Sequence, residues 1–369
     1  MSDLLAYFGF TDLSAADLEG LASEDLMQRS QAPDEILASR FFAPKITDVS
    51  QAGEPPLGGY GWRNVIRLQP REGSPAASRK LESLYILFNV FQPSVDTDPF
   101  SVESKNNQAI VVRGSDSDTN TVQHPLYFFV YQAVSKGAKI DLFLNASFDG
   151  RTNDPETQST IRQYFIPAAC VQCHGKRAEK AKLNFLDTDH WLDRVQPGND
   201  FAALGQSPHA VIFDGGKDEN TDQFTSAMEV VRKLNQDIAR QNGRADPSSS
   251  NFQLAAVRKW LDLHQNNARH VNSFDRGIAM DAEDKVWSAE REIDKQLLPL
   301  LNQYCYRCHS SIKYSVFDRA QVKEFALDMT DRLRDTGDSS FFMPQDRVIP
   351  PEVVARFVDL LKQLDAETE

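Results

Sequence analysis

One pentad occurs twice in this chain, and it constrains the rest: Cys170-Val-Gln-Cys173-His174 and Cys305-Tyr-Arg-Cys308-His309. Together the two copies use every cysteine among the 369 residues. On a turn of helix, side chains at i, i+3 and i+4 project to one side, so each copy aims two thiols and an imidazole at a common object. Three familiar uses of paired cysteines fit poorly. Zinc-ribbon pairs sit much closer together in sequence. A thioredoxin-like redox pair adjoins a βαβ pattern, which is lacking here. Two local disulfides would suit an oxidising compartment but would give the histidines no role. Only seven residues are histidine. Chance placement of one behind both pairs has odds of about 1 in 2,800 if composition is the prior.

Cys-x-x-Cys-His is the attachment motif of c-type haem, and the chain resembles a two-haem c-type cytochrome. That resemblance implies two covalently attached haem c groups. Cys170, Cys173, Cys305 and Cys308 are then the thioether anchors, and His174 and His309 the proximal iron ligands. Residues 283–364 resemble more closely a class I cytochrome c domain. A helix runs into the second pentad, a middle helix follows, and Phe342-Met343-Pro344 precedes a last helix opening at Pro350-Pro351-Glu352. In that family a Met-Pro pair at this place supplies the distal ligand, which implies Met343. A thioether is soft and neutral, favours ferrous iron and raises the potential. Pro351 suits the first turn of a helix. The competing use of Met343 is to fill a gap in the core.

The first pentad departs from the class I pattern, because no Met-Pro pair follows it. His190, His209 and Met228 are the candidates for its distal position, and His190 is preferred. Asp187 or Asp189 could cap a short helix bearing His190, and a carboxylate on the ring would raise its basicity. Ordinary readings stand beside each: a cap or surface residue for His190, a loop residue for His209 and a core residue for Met228. A bis-His haem has a lower potential than a Met/His haem, so the two sites would form a downhill step. Trp191, Trp260 and Trp287 read as packing. His124, His264 and His270 read as structural, Ser310-Ser311 as a polar pair at a helix end, and Asp214 to Asp218 as a plain turn.

The pattern along the chain is α+β: an N-terminal antiparallel β-rich domain followed by mainly α-helical cytochrome c-like haem domains. Residues 1–150 read as a helical lead-in and β-rich domain, 151–280 as a first haem domain and 281–369 as a class I-like domain. The lead-in to residue 52 reads as helical, with Ser14-Ala-Ala-Asp17 as a cap. Strands are expected over 60–68, 81–91, 109–112 and 126–134. A hairpin turn is expected at 135–138, with a return strand over 139–148. Helices are expected over 222–241, 251–264, 283–304, 319–333 and 351–364.

Composition narrows the function. The net charge of −13 denies the basic footprint that nucleic acid requires; it favours redox partner proteins with basic docking surfaces by speeding encounter. The longest apolar run, near 126–134, is too short to cross a bilayer, so no transmembrane segment is expected. Residues 1–7 lack the basic and apolar regions of a secretory leader. Thioether attachment nevertheless takes place outside the cytoplasmic membrane in bacteria, so a periplasmic or otherwise extracytoplasmic location is expected, with a leader lying outside this numbering. The function expected is single-electron transfer between redox partners. The alternative is a two-haem enzyme, a peroxidase or an oxygenase, with one open haem fed by the other. A haem-based sensor is a third reading.

Overall fold

The computed structural model describes residues 1–20, 23–42, 62–90, 104–114, 125–136, 139–145, 147–151, 161–165, 174, 181–195, 213, 221–245, 252–265, 287–309, 314–334 and 349–367. The chain divides into two compact units. Met1–Lys45, Gly58–Ser147 and Phe165–His270 make one; Ile46–Leu57, Phe148–Tyr164 and Val271–Glu369 make the other.

The first unit is built on a six-stranded antiparallel sheet whose strands follow in chain order: β1 (Ile36–Phe42), β2 (Trp62–Leu68), β3 (Leu81–Val90), β4 (Ser104–Arg113), β5 (Leu126–Lys136) and β6 (Lys139–Asn145). Lys136 pairs with Lys139, so β5 and β6 form the expected hairpin. Side chains alternate across the sheet with period two. Leu37, Phe41, Val65, Tyr85, Ile110, Val112, Leu126 and Phe128 take one face. Ile36, Ile66, Leu68, Leu84, Ile86, Phe88 and Val111 take the other. Both faces are covered, which is why these strands read as near-continuous apolar runs and not as a strict alternation.

Three short helices, α1 (Ser2–Tyr7), α2 (Ala15–Gly20) and α3 (Ser23–Gln28), belong to the second face through Leu5, Phe8, Phe10, Leu18 and Leu26. Burial of each such side chain contributes about 1.5–3 kcal/mol. The expected cap of α2 is present: Ser14 N–H donates to Asp17 Oδ2 at 3.0 Å and Asp17 N–H donates to Ser14 Oγ at 3.1 Å. The expectation of a helical lead-in to residue 52 needs correcting, because β1 lies inside it. Ile36-Leu-Ala-Ser-Arg-Phe-Phe42 pairs along its whole length with β2, and this pairing outweighs an ambiguous local preference. A one-turn helix, α4 (Pro75–Ser78), separates β2 from β3.

The first face of the sheet carries the segment around the first pentad. Its elements are α5 (Thr188–Val195), α6 (Thr221–Ala245) and α7 (Phe252–Leu263). Val230, Val231, Leu234 and Ile238 of α6 join the core formed by that face. A polar stripe on α6 binds the strands. The Arg67 guanidinium, 2% exposed, meets Asp237 at 3.1 Å, Gln241 donates to Ser83 Oγ at 3.1 Å, and Arg244 pairs with Glu82. The sheet and the expected first haem segment thus share one core.

Two strands, β7 (Ser147–Arg151) and β8 (Ile161–Phe165), form a small separate sheet. Its second strand falls where only helix was expected.

The second unit holds α8 (Glu292–Tyr304), α9 (Tyr306–His309), α10 (Arg319–Glu324), α11 (Ala326–Arg334) and α12 (Pro351–Ala366). Leu297, Leu301, Val322, Met329, Phe357 and Leu361 share its core. Pro351 opens α12 as expected. The helix expected from residue 283 begins at Glu292, and the one expected over 319–333 breaks at Phe325. Asp294 is fully buried and answered on several sides: Arg319 Nε at 2.8 Å, Arg291 Nε at 3.0 Å and the Ser288 N–H at 2.8 Å.

Candidate functional site

The first site is set by a segment without regular secondary structure, residues 181–187, that runs along α6. Asn242 Oδ1 accepts from Leu183 N–H at 2.9 Å, and its Nδ2 donates to Leu183 O at 2.8 Å. Asn235 grips Leu186 in the same manner, at 2.8 and 2.9 Å. Each amide replaces the strand that would otherwise satisfy the backbone, and both asparagines are buried, as such polar groups must be when fully paired.

The same segment holds His174. Lys182 N–H donates to His174 O at 2.8 Å, and His174 Nδ1 lies 2.7 Å from Lys182 O. A carbonyl can only accept, so Nδ1 is a protonated nitrogen and, in the neutral ring, Nε2 carries the lone pair. Phe128 of β5 packs against the imidazole, with centroids 5.0 Å apart and planes at 47°. His174 is half-buried.

Beyond the segment, Asp187 caps α5 by accepting the His190 N–H at 3.0 Å, which bears out the expected cap. His190 is buried at 3% exposure. The other carboxylate, Asp189, reaches across to α7's end, where Asp189 Oδ2 lies 2.7 Å from His264 Nε2, both side chains enclosed. His264 in turn packs on Trp260, centroids 4.5 Å apart. Thr188 Oγ1 and Trp260 Nε1 are buried and find no hydrogen-bond partner among the described residues. Met228 sits in the core of this unit, its ordinary reading. Trp191 stacks on Phe41 at 4.0 Å and 11°, Trp260 lies in the same core, and Trp287 donates to Val316 O at 2.9 Å in the second unit. All three are packing residues.

The second site grows from the junction of α8 and α9. Cys305 ends α8 with its N–H on Leu301 O at 2.8 Å, and His309 N–H reaches Cys305 O at 2.9 Å. The pentad therefore forms the single turn of helix that its spacing predicts. Val316 N–H returns to His309 O at 3.0 Å. Tyr314 stacks on the His309 ring at 4.2 Å and 10°, and Phe325 stacks behind Tyr314 at 5.4 Å.

Cys170, Cys173, His209 and Met343 lie outside the described residues, as does the side chain of Cys308. Sequence reasoning missed Lys182, Asn235, Asn242, Phe128 and Tyr314; it read His264 as structural, and the buried pair with Asp189 is the form that role takes. Among the described residues no group of three or more His, Cys, Asp or Glu side chains could hold a bare metal ion, and no helix is long and apolar enough to cross a membrane. Searches of protein-family models, of curated proteins and of solved structures found nothing similar to this chain.

Proposed function

We propose that this chain is an extracytoplasmic two-haem c-type cytochrome that passes single electrons between redox proteins. The observation that carries the reading is the setting of His174. Its Nδ1–H is committed to the Lys182 carbonyl at 2.7 Å, which fixes the tautomer that offers Nε2 to a metal and raises the basicity of that nitrogen. A main-chain partner of this kind is the usual companion of a metal-binding histidine. The second pentad supports the same reading through its one-turn helix and the ring of Tyr314 stacked on His309.

In this reading Cys170, Cys173, Cys305 and Cys308 anchor two haem c groups, and His174 and His309 are the proximal ligands. Haem bound at these places supplies a one-electron iron couple in a soluble carrier. Met343 is the distal ligand of the second site. His190, held on α5 by the Asp187 cap, is the distal ligand of the first. With His190 at the first site and Met343 at the second, the first haem would be the lower in potential, which would favour transfer towards the second. The charge of −13 favours partners with basic surfaces.

The test is a denatured pyridine spectrum of protein from an export-competent host that matures c-type haem. Two haems per chain support the proposal; colourless protein, or zinc in place of iron, refutes it. Carbon monoxide added to the reduced native protein then separates carrier from enzyme. An unchanged spectrum fits a carrier, and ligand binding at one haem fits a peroxidase or oxygenase.

A further inference from the structure

We infer that Asn242 is a positioning residue that sets the donor strength of His174, and so the potential of the first haem, by polarising one peptide group; the inference rests on the haem reading above. Lys182 C=O and Leu183 N–H belong to the same planar, trans peptide and therefore point in opposite directions. On one side this peptide donates to Asn242 Oδ1 at 2.9 Å. On the other it accepts from His174 Nδ1–H at 2.7 Å. Asn242, the peptide and the imidazole thus form one chain of hydrogen bonds. Such chains polarise cooperatively, and more strongly in a low-dielectric interior. Asn242 is 1% exposed. Electron density drawn towards the Lys182 oxygen strengthens the pull on Nδ1–H and gives the imidazole anionic character. A more anionic ligand stabilises ferric iron and lowers the potential.

Asn235 holds the far end of the same segment. The two asparagines are seven residues apart on α6, which is two helical turns and a rise of about 10.5 Å. Leu183 and Leu186 are three residues apart, and three residues of extended chain span about 10 Å. The two spacings match, so both amides engage their residues without bending helix or segment. Lys182 O is therefore held on the helix scaffold and not merely by the loop that carries the pentad.

Asn242→Leu removes the acceptor and the donor, whereas Asn242→Asp keeps an acceptor oxygen in either protonation state. With Asn242→Leu the ferrous-to-ferric ratio of the first haem at a fixed applied potential should rise about tenfold, equivalent to ~59 mV for a one-electron couple. Asn242→Asp should leave the potential at or below that of the parent protein, and the second haem should not move in either variant. Arg71→Ala, which breaks the pairs with Asp12 and Glu35 away from α6, is the control: it should lower the unfolding midpoint without moving either potential. If Asn242→Leu does not accumulate, Asn242→Ser, whose hydroxyl is too short to reach Leu183, reads the same loss. An unmoved first-haem potential in the Leu or Ser variant, or equal shifts with Arg71→Ala, overturns the inference. Absence of a covalent haem at the first pentad of the parent protein, seen by intact mass, overturns the reading beneath it and the inference with it.

Discussion

Replacing Asp237 by Ala should be among the most damaging single changes in the first unit, and it should cost more than replacing its partner. Arg67 lies in β2 with 2% of its side chain exposed and has its carboxylate, Asp237, at 3.1 Å. Its other group, Asp34 O at 2.7 Å, is a neutral carbonyl. Removal of Asp237 leaves a guanidinium that cannot shed its proton buried on the sheet. Breaking a buried pair in this manner costs about 3–5 kcal/mol. The reverse change, Arg67→Met, leaves Asp237 at 19% exposure with Arg240 still 3.0 Å away, so water and a second cation absorb part of the loss. About 1–3 kcal/mol is then expected, the cost of an incompletely satisfied polar group. The double variant should be less damaged than Asp237→Ala alone. Urea melts followed by circular dichroism give the three values, and a thermal scan should place Asp237→Ala about 10 °C below the parent for a unit of this size. An Asp237→Ala loss below about 1 kcal/mol, or one smaller than that of Arg67→Met, would refute the view that burial of the charge dominates.

Other expectations are more local. If the two-haem proposal holds, Met343→Ala should lower the potential of the second haem or open its iron to added imidazole; unchanged titration curves would count against ligation. Tyr314→Leu removes the ring stacked on His309, a contact worth about 0.5–1.5 kcal/mol beyond its buried area, and should broaden or shift the second haem's spectrum, which absorption and urea melts would record. Asp17 has its carboxyl held below the usual 3.8 by the hydrogen bonds from Ser14. A lowered folded pKa gives stability that is present above pH 3.8 and is lost as pH falls through the folded value. Acid titration of the unfolding midpoint should show that loss, and Ser14→Ala, which removes the hydroxyl but keeps the backbone N–H donor, should make it smaller.

Much of the first unit is legible in the sequence because its strands are punctuated. β2, β3 and β5 are runs of Val, Ile, Leu, Phe and Tyr bounded by Pro, Gly and Asp, and Gly137-Ala138 announces the hairpin. β1 is not legible: Ala38, Ser39 and Arg40 break the apolar run, and only its register with β2 makes it a strand. The pentads are legible because their chemistry depends on local spacing. The Lys182 oxygen that orients His174 is not, since a backbone carbonyl has no residue signature and its partner depends on tertiary packing. The asparagine pair on α6 left a trace. Asn235 and Asn242 stand two turns apart beside Leu234 and Ile238, where a buried amide requires a partner.

The expected division into a β domain and a separate first haem domain treats the sheet as an accessory, whereas the packing makes it the floor of the first site. Phe128 of β5 touches the His174 ring, and Phe41 of β1 stacks on Trp191 next to His190. The helix that supplies Asn235 and Asn242 is tied to β2 and β3 through Arg67, Ser83 and Glu82. A haem carried on a small helical domain can be retuned by changes near its own ligands. Here His174, the peptide that accepts its Nδ1–H and the helix that holds that peptide all rest on one buried surface, so Asp237→Ala, two residues from Asn235, should loosen α6. If the haem proposal holds, stability and potential should therefore vary together for substitutions at the α6–sheet contact that displace the asparagines, and separately for those away from α6, such as Arg71→Ala.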